Sequence, residues 1–164
     1  MSHPTPPSTP CAAPAPRVHP GPLRIRTGTW AELGPEAGEV RARVFIEEQG
    51  IPKELEWDED DATALHAVVH GADGQALATG RLLRGGPGVA KIGRVAVLAP
   101  ARRTGVGRAV MQALMDAARA RGDREVMLHA QRSAQSFYLG LGFQVRGEPF
   151  DEVGIPHVEM VAPL

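Results

Sequence analysis

The stretch over residues 95–107, Val-Ala-Val-Leu-Ala-Pro-Ala-Arg-Arg-Thr-Gly-Val-Gly, constrains the fold more than any other part of the chain. A short apolar run closes at Pro100, a basic turn spaced by glycines follows, and an amphipathic pattern starts directly after it. Strand, glycine turn and helix N-terminus together make a seat for an anionic phosphate. Gly105 and Gly107 carry no Cβ, so the backbone can approach a ligand closely. The first helical N–H groups have no partner within the helix and point outward. The helix dipole adds partial positive charge there, and Arg102, Arg103 and Arg108 add whole charges. Two phosphate loops of other enzyme classes fail on inspection. A P-loop ends in Gly-Lys-Ser/Thr, whereas Gly107 is followed by Arg108 and Ala109. A dinucleotide fingerprint needs Gly or Ala three residues after the second glycine, where this chain has Val110.

Around this stretch the pattern alternates between strands and helices. Residues 1–22 are rich in Pro, Ala, Ser and Thr and poor in large apolar side chains, so they cannot offset their own ordering entropy. They read as a disordered tail, Cys11 included, ahead of a single domain over residues 23–164. Residues 23–27 alternate as a first strand. Pro35 suits the opening of a helix, whose apolar stripe is Ala37, Val40 and Val44 and whose stop is Gly50 with Pro52. The acidic run over residues 53–61, with Leu55 and Trp57 interrupting it, reads as a mainly solvated loop. Strands follow at 64–70, 75–83 and 89–98, then a helix at 104–121 ending on Gly122. A short strand at 125–130 precedes a helix capped by Ser133, and two strands close the chain at 143–146 and 155–161 with a turn at Glu148-Pro149.

Composition narrows the class. Eighteen basic and nineteen acidic residues leave a formal charge of −1, which carries no footprint for nucleic acid or membrane. A lone cysteine excludes an internal disulfide, no apolar run approaches a membrane span, and the N-terminus lacks the apolar core of a secretory signal. The expectation is a soluble cytoplasmic protein.

Arg102-x-x-Gly105-x-Gly107 after an apolar strand resembles the pyrophosphate loop of the GNAT superfamily of N-acetyltransferases. Ala134-x-x-Phe137-Tyr138-x-x-x-Gly142-Phe143 resembles the helix and strand start that close that family's site. The likeness covers roughly residues 23–164. It implies an α+β fold with a mixed, mostly antiparallel central sheet flanked by helices, and a splay between the two central strands that admits acetyl-CoA as co-substrate. Residues 44–52 and 147–157 resemble a bacterial subgroup of the ElaA and YjcF types.

The resemblance also implies site roles. The backbone of Val95, Ala96 and Val97 would hold the pantetheine arm, with the Val97 N–H as oxyanion donor. Arg102, Arg103, Thr104, Gly105, Val106, Gly107 and Arg108 would hold the pyrophosphate. Gln131 stands where the family often has a cofactor-contacting Asn. Tyr138, the only tyrosine, would be the general acid toward the departing thiolate.

The base is open. Glu48 lies four residues after Val44 on the apolar stripe, in a last helical turn where the dipole disfavours a carboxylate, so it and Glu47 are candidates. In the alternative, Arg43 neutralises Glu47 across one turn. Glu152 and His157 are further candidates, for the base or for the acceptor. His66, His70 and His129 lack metal-ligand spacing and read as structural, and no metal site is expected.

The expected activity is acetyl transfer to a primary amine of a small molecule by direct attack in a ternary complex. The alternatives are a protein lysine or N-terminal acetyltransferase and a non-catalytic acyl-CoA-binding module. An open groove would favour a protein acceptor; an acidic pocket near Glu47, Glu48 and Glu152 would favour a small one. Family members often dimerise, and a homodimer through the final strands fits the pattern.

Overall fold

Seven strands form one sheet in the order β1-β2-β3-β4-β5-β7-β6, in a computed structural model that describes residues 20–164. Most of the tail expected over residues 1–22 therefore lies outside the described residues. The strands are β1 (Arg24–Gly28), β2 (Leu65–His70), β3 (Ala76–Gly86), β4 (Val89–Val97), β5 (Glu125–Gln131), β6 (Gln144–Glu152) and β7 (Ile155–Pro163). All neighbours are antiparallel except β4 and β5. That pair is parallel because the long helix α3 (Val106–Ala120) crosses over between them. Their register runs for three residues only, from Val89 opposite Glu125 to Lys91 opposite Met127. The remainder of β4 diverges from β5, which is the expected splay.

Each face of the sheet has its own cover. Ala90, Ile92, Val126, Leu128 and Ala130 point to one side and pack on Val110, Met111, Leu114 and Ala118 of α3. Alternate residues of the first four strands point to the other side, against α1 (Trp30–Arg41) and the π-helix that continues it, Ala42–Glu48. The expected stripe of Ala37, Val40 and Val44 is buried there. On β5, β7 and β6 that second face has no helix over it among the described residues, and this asymmetry creates the site. α3 packs tightly on the sheet at Gly80: a Cβ there would lie 2.8 Å from Val110 Cγ1 and 2.9 Å from Leu114 Cδ1.

Four expected boundaries are corrected. The first helix begins at Trp30, not Pro35, because Thr29 and Glu32 form a reciprocal capping box, worth about 1 kcal/mol. Pro35 therefore sits inside the helix. The acidic run is not a solvated loop: it forms α2 (Lys53–Glu56) and a 3-10 turn, Glu59–Ala62, and buries Glu56 and Asp61. Ser133 makes no cap; a 3-10 turn, Arg132–Ala134, leads into a five-residue helix α4 (Gln135–Leu139). Finally, β6 runs through Glu148-Pro149 by a register slip between Arg146 and Phe150. The chain reverses instead at Val153-Gly154, both at positive φ, as a two-residue hairpin turn requires.

No helix among the described residues is long and apolar enough to cross a membrane.

Candidate active site

The divergence of β4 from β5 opens a cavity of about 590 Å³. The end of the π-helix and α2 wall one side of it, β4 the floor, and the β6–β7 hairpin tip with Glu152 and Val153 the other side.

The open edge of β4 follows from its ladder. The Leu98 N–H donates to the Leu77 carbonyl at 2.9 Å, back toward β3. Antiparallel pairing alternates, so the backbone groups of Val97 point the other way, into the gap, while those of Ala96 turn toward Thr79. The Val97 carbonyl is met there by Arg102 Nε at 3.1 Å. Just upstream, β4 carries an extra residue between Gly93 and Ala96, with Arg94 at φ 50. This bulge reverses the strand's faces: Ala96 and Leu98 join the core beneath the π-helix, and Val95 and Val97 pack toward α3.

The turn after β4 has the backbone that the glycines foretold. Gly105 caps α3 at φ 92, and Arg103 also lies at positive φ. The Thr104 hydroxyl donates to the Ala101 carbonyl, which ties the loop to itself. Val106 is buried in the core, so only its backbone is available to a ligand. At Gly107 a Cβ would lie 3.3 Å from the Phe137 ring and 3.4 Å from Val97. Arg103 and Arg108 are exposed and unpartnered among the described residues. Arg102 is different. Its guanidinium makes a two-pronged contact with Glu48, at 2.6 and 2.7 Å, which turns it into the cavity wall.

That contact decides between the two neighbouring acids. Glu48 lines the cavity, but the Arg102 guanidinium holds its carboxyl below the usual carboxylate range, so it is a weakened base. Glu47 is exposed and lies off the cavity wall. Arg43 does not neutralise it; Arg43 pairs with Glu39 at 3.3 Å. Val44 and Glu48 both line the cavity, in keeping with their four-residue spacing, and the π-helix over Ala42–Glu48 carries them into that wall. Gln131 also faces the cavity, where its amide and that of Gln49 exchange hydrogen bonds at 2.8 and 3.2 Å.

Tyr138 stands on the cavity wall, with its ring edge-on to Phe137 and Phe143. Burial alone pushes its phenol well above the ordinary value, so it is protonated at neutral pH. Among the described residues its hydroxyl has no hydrogen-bond partner, yet it is not sealed from the cavity.

Glu152 and His157 meet across the β6–β7 ladder, on the same wall. His157 Nδ1 lies 2.7 Å from the Ile155 carbonyl, which can only accept, so Nδ1 carries the proton. Its Nε2 faces Glu152 Oε2 at 3.5 Å. Phe150 stacks on the His157 ring, and His129 packs edge-on to Phe150 with Nδ1 3.4 Å from Glu152 Oε1. His129 thus belongs to the cavity, contrary to its reading as structural; its alternation with buried Leu128 and Ala130 was the signal. His66 and His70 are buried under α1, hydrogen-bonded to the Asp61 carbonyl and to Glu36. Among the described residues no group of three or more His, Cys, Asp or Glu side chains stands ready to hold a metal ion.

A buried ionic network that no sequence pattern announced borders the cavity. Arg41 binds Glu56 at 2.5 Å and Asp61 at 2.7 and 3.0 Å, with the Trp30 and Trp57 rings 5.3 and 5.7 Å from its guanidinium. Arg81 joins Asp61 to Asp58, and Arg94 joins Asp58 to the Glu56 carbonyl. Burial pushes the Asp61 carboxyl up, but Arg41 and Arg81 more than offset it; Asp58 is held low chiefly by its hydrogen bonds from Arg81.

A family profile described as an acetyltransferase (GNAT) domain matches residues 33–164. The Bacillus subtilis protein YjcF, named an uncharacterized N-acetyltransferase, is 38% identical over 123 residues, covering 74% of this chain and 86% of its own. The crystal structure of an acyl-CoA N-acyltransferase from Pseudomonas aeruginosa superposes with a TM-score of 0.74 at 33% identity, over 86% of this chain and 99% of that one. Escherichia coli ElaA superposes with a TM-score of 0.75 at 28% identity, over 85% and 99%.

Proposed function

The chain belongs to the GNAT acetyltransferase family, of the ElaA and YjcF type, and from that premise we propose that it transfers the acetyl group of acetyl-CoA to a primary amine of a small molecule, by direct attack in a ternary complex. The observation that carries the reading is the Tyr138 hydroxyl. It is a protonated phenol, unpartnered among the described residues, on the wall of the cavity where β4 and β5 part.

When bound, acetyl-CoA supplies an acyl group activated as a thioester. The open edge of β4 at Val97, the α3 N-terminus at Gly105 and Gly107, and the free cations Arg103 and Arg108 fit a pantetheine arm and a pyrophosphate. The Val97 N–H donates to the oxyanion as charge develops on it. In the neutral ring, with its proton on Nδ1, His157 Nε2 takes the proton from the attacking amine, and Glu152 stabilises the imidazolium that results. A C–N bond replaces the C–S bond, and the departing sulfur takes the Tyr138 proton. Walls on both sides of the cavity, from α2 and from the β6–β7 tip, favour a small acceptor over a protein one.

Thiol release from acetyl-CoA, followed across small amines, amino sugars and lysine peptides, tests this. The expected result is turnover with small amines that falls about a hundredfold in Tyr138→Phe with acetyl-CoA binding retained. Turnover confined to lysine peptides would overturn the small-acceptor reading. Acetyl-CoA binding without turnover of any amine would leave a binding module.

A further inference from the structure

The charges on the cavity wall do not cancel at random. Its cations are Arg81, Lys91, Arg94 and Arg102. Arg81 and Arg94 are held by Asp58, Asp61 and Glu56, and Arg102 by Glu48. Lys91 has no hydrogen bond or ion pair among the described residues. Of the wall's carboxylates, Glu48 and Glu56 are the ones consumed in those pairs, which leaves Glu152 facing only imidazoles. One cation and one carboxylate therefore remain for a ligand.

The two stand on the same face of the sheet. Ala90 and Ile92 point into the core beneath α3, so Lys91 between them points the other way, and His129 does so between Leu128 and Ala130. Lys91 occupies the last rung before the gap, opposite Met127, and His129 lies two residues further along β5. Strand geometry sets the Cβ atoms of Lys91 and His129 about 8 Å apart.

At the other end, His157 and Glu152 make an incomplete contact. The His157 side chain is 7% exposed, and in the neutral ring, with its proton on Nδ1, a bare Nε2 faces a carboxylate oxygen at 3.5 Å. Two acceptors facing each other need a donor between them. An ammonium fills that need: one N–H for Nε2, one for Glu152 Oε2, and a favourable charge for the carboxylate.

We propose that the acceptor is a zwitterion, its ammonium seated between Glu152 and His157 and its anionic group, a carboxylate, on Lys91. The seat then hands one ammonium proton to Nε2, from which it leaves to water by way of exposed Glu152, so that the free amine stays in place to attack and Nε2 is ready for the second proton. This rests on the acyltransferase reading and narrows it: plain alkylamines lack a partner for Lys91, and diamines set a second cation against it.

The test follows thiol release from acetyl-CoA with three matched series of two to six carbons: ω-amino carboxylates, alkylamines and α,ω-diamines. The expected result is a kcat/KM at least tenfold higher for the best amino carboxylate than for either partner of equal length. Lys91→Met is expected to lower kcat/KM for that substrate about tenfold more than for the alkylamine. Lys91→Glu is expected to move the preference toward the diamine. Circular dichroism of each variant establishes that it is folded. Equal or better turnover of alkylamines or diamines by the native protein overturns the proposal, as does a Lys91→Met variant that keeps the native preference. Failure to bind acetyl-CoA, read by calorimetry, instead overturns the acyltransferase reading. Binding of acetyl-CoA with no acetylation of amino carboxylates overturns the zwitterion alone.

Discussion

Two clusters of charge border one cavity, and they differ in what they leave unfinished. Behind α1, Arg41, Arg81 and Arg94 are matched to Glu56, Asp58 and Asp61, and the central members are nearly sealed: Arg41 is 1% exposed, Glu56 and Asp61 3%. At the cavity's open side, Glu152 on β6 is 47% exposed and, among the described residues, meets only imidazoles, and Lys91 on β4 meets no partner. The first cluster is matched in charge without a ligand, with Arg81 Nε its one buried donor lacking a hydrogen-bond partner among the described residues; the second is not matched. Charge in a protein marks a place to work when its partner is missing, and a place of structure when its partners are all present.

The largest expected effect breaks the first cluster. Arg41→Met removes the cation that two buried carboxylates share, and an uncompensated buried charge costs about 3–5 kcal/mol. Chemical denaturation should show a midpoint shift of that order, and a variant within 1 kcal/mol of native would mean the network is solvated.

Tyr138→Phe should do the reverse. It removes about a hundredfold in kcat, roughly 2.7 kcal/mol of transition-state stabilisation. Because the hydroxyl is unpartnered among the described residues and the ring stays packed on Phe137 and Phe143, its denaturation curve should shift by no more than about 0.5 kcal/mol.

Acid probes the first cluster more gently. Asp58 and Asp61 have folded pKa values below the ordinary carboxylate value. Their contribution is full above that ordinary value, near pH 4, and is lost as pH falls through the lower folded values. Stability should therefore fall below pH 4, and Asp58→Asn should flatten that fall. An unchanged acid limb would remove Asp58 from the account.

The smallest effect concerns the rim. Val153 holds φ 47 at the hairpin tip, a conformation that suits Asn far better than a β-branched residue. Val153→Asn should raise stability by about 0.5–1 kcal/mol, read as a rise in melting temperature, and no rise would mean the turn is held by its neighbours.

The contrast also explains what could be read from sequence. The turn at Gly105 and Gly107 was legible because its requirement is local: a left-handed residue and a close approach within three positions. The strand alternation of β2 to β5 was legible because a half-buried strand repeats every second residue. The Thr29–Glu32 capping box was also present in the sequence, and Pro35 outweighed it as a start signal. Glu56 and Asp61 could not be told from their exposed neighbours, because their partners Arg41, Arg81 and Arg94 lie fifteen or more residues away. The cavity-facing place of Glu48 was legible from its spacing after Val44, but its pairing with Arg102 was not, because Arg102 lies fifty-four residues away. His129 was passed over for the same reason as the acids: its neighbours Glu152 and Phe150 arrive from another strand.

The three-residue register between β4 and β5 has a thermodynamic reach. The sheet's two halves share one short ladder, and beyond Lys91 the edge of β4 that turns away from β3 has no strand beside it among the described residues. A molecule that pairs there acts as mortar between the halves. Free energy of binding then reappears as free energy of folding: about 2.7 kcal/mol at a hundred times the dissociation constant. The protein is built so that its own cohesion reports how much of its ligand is around it.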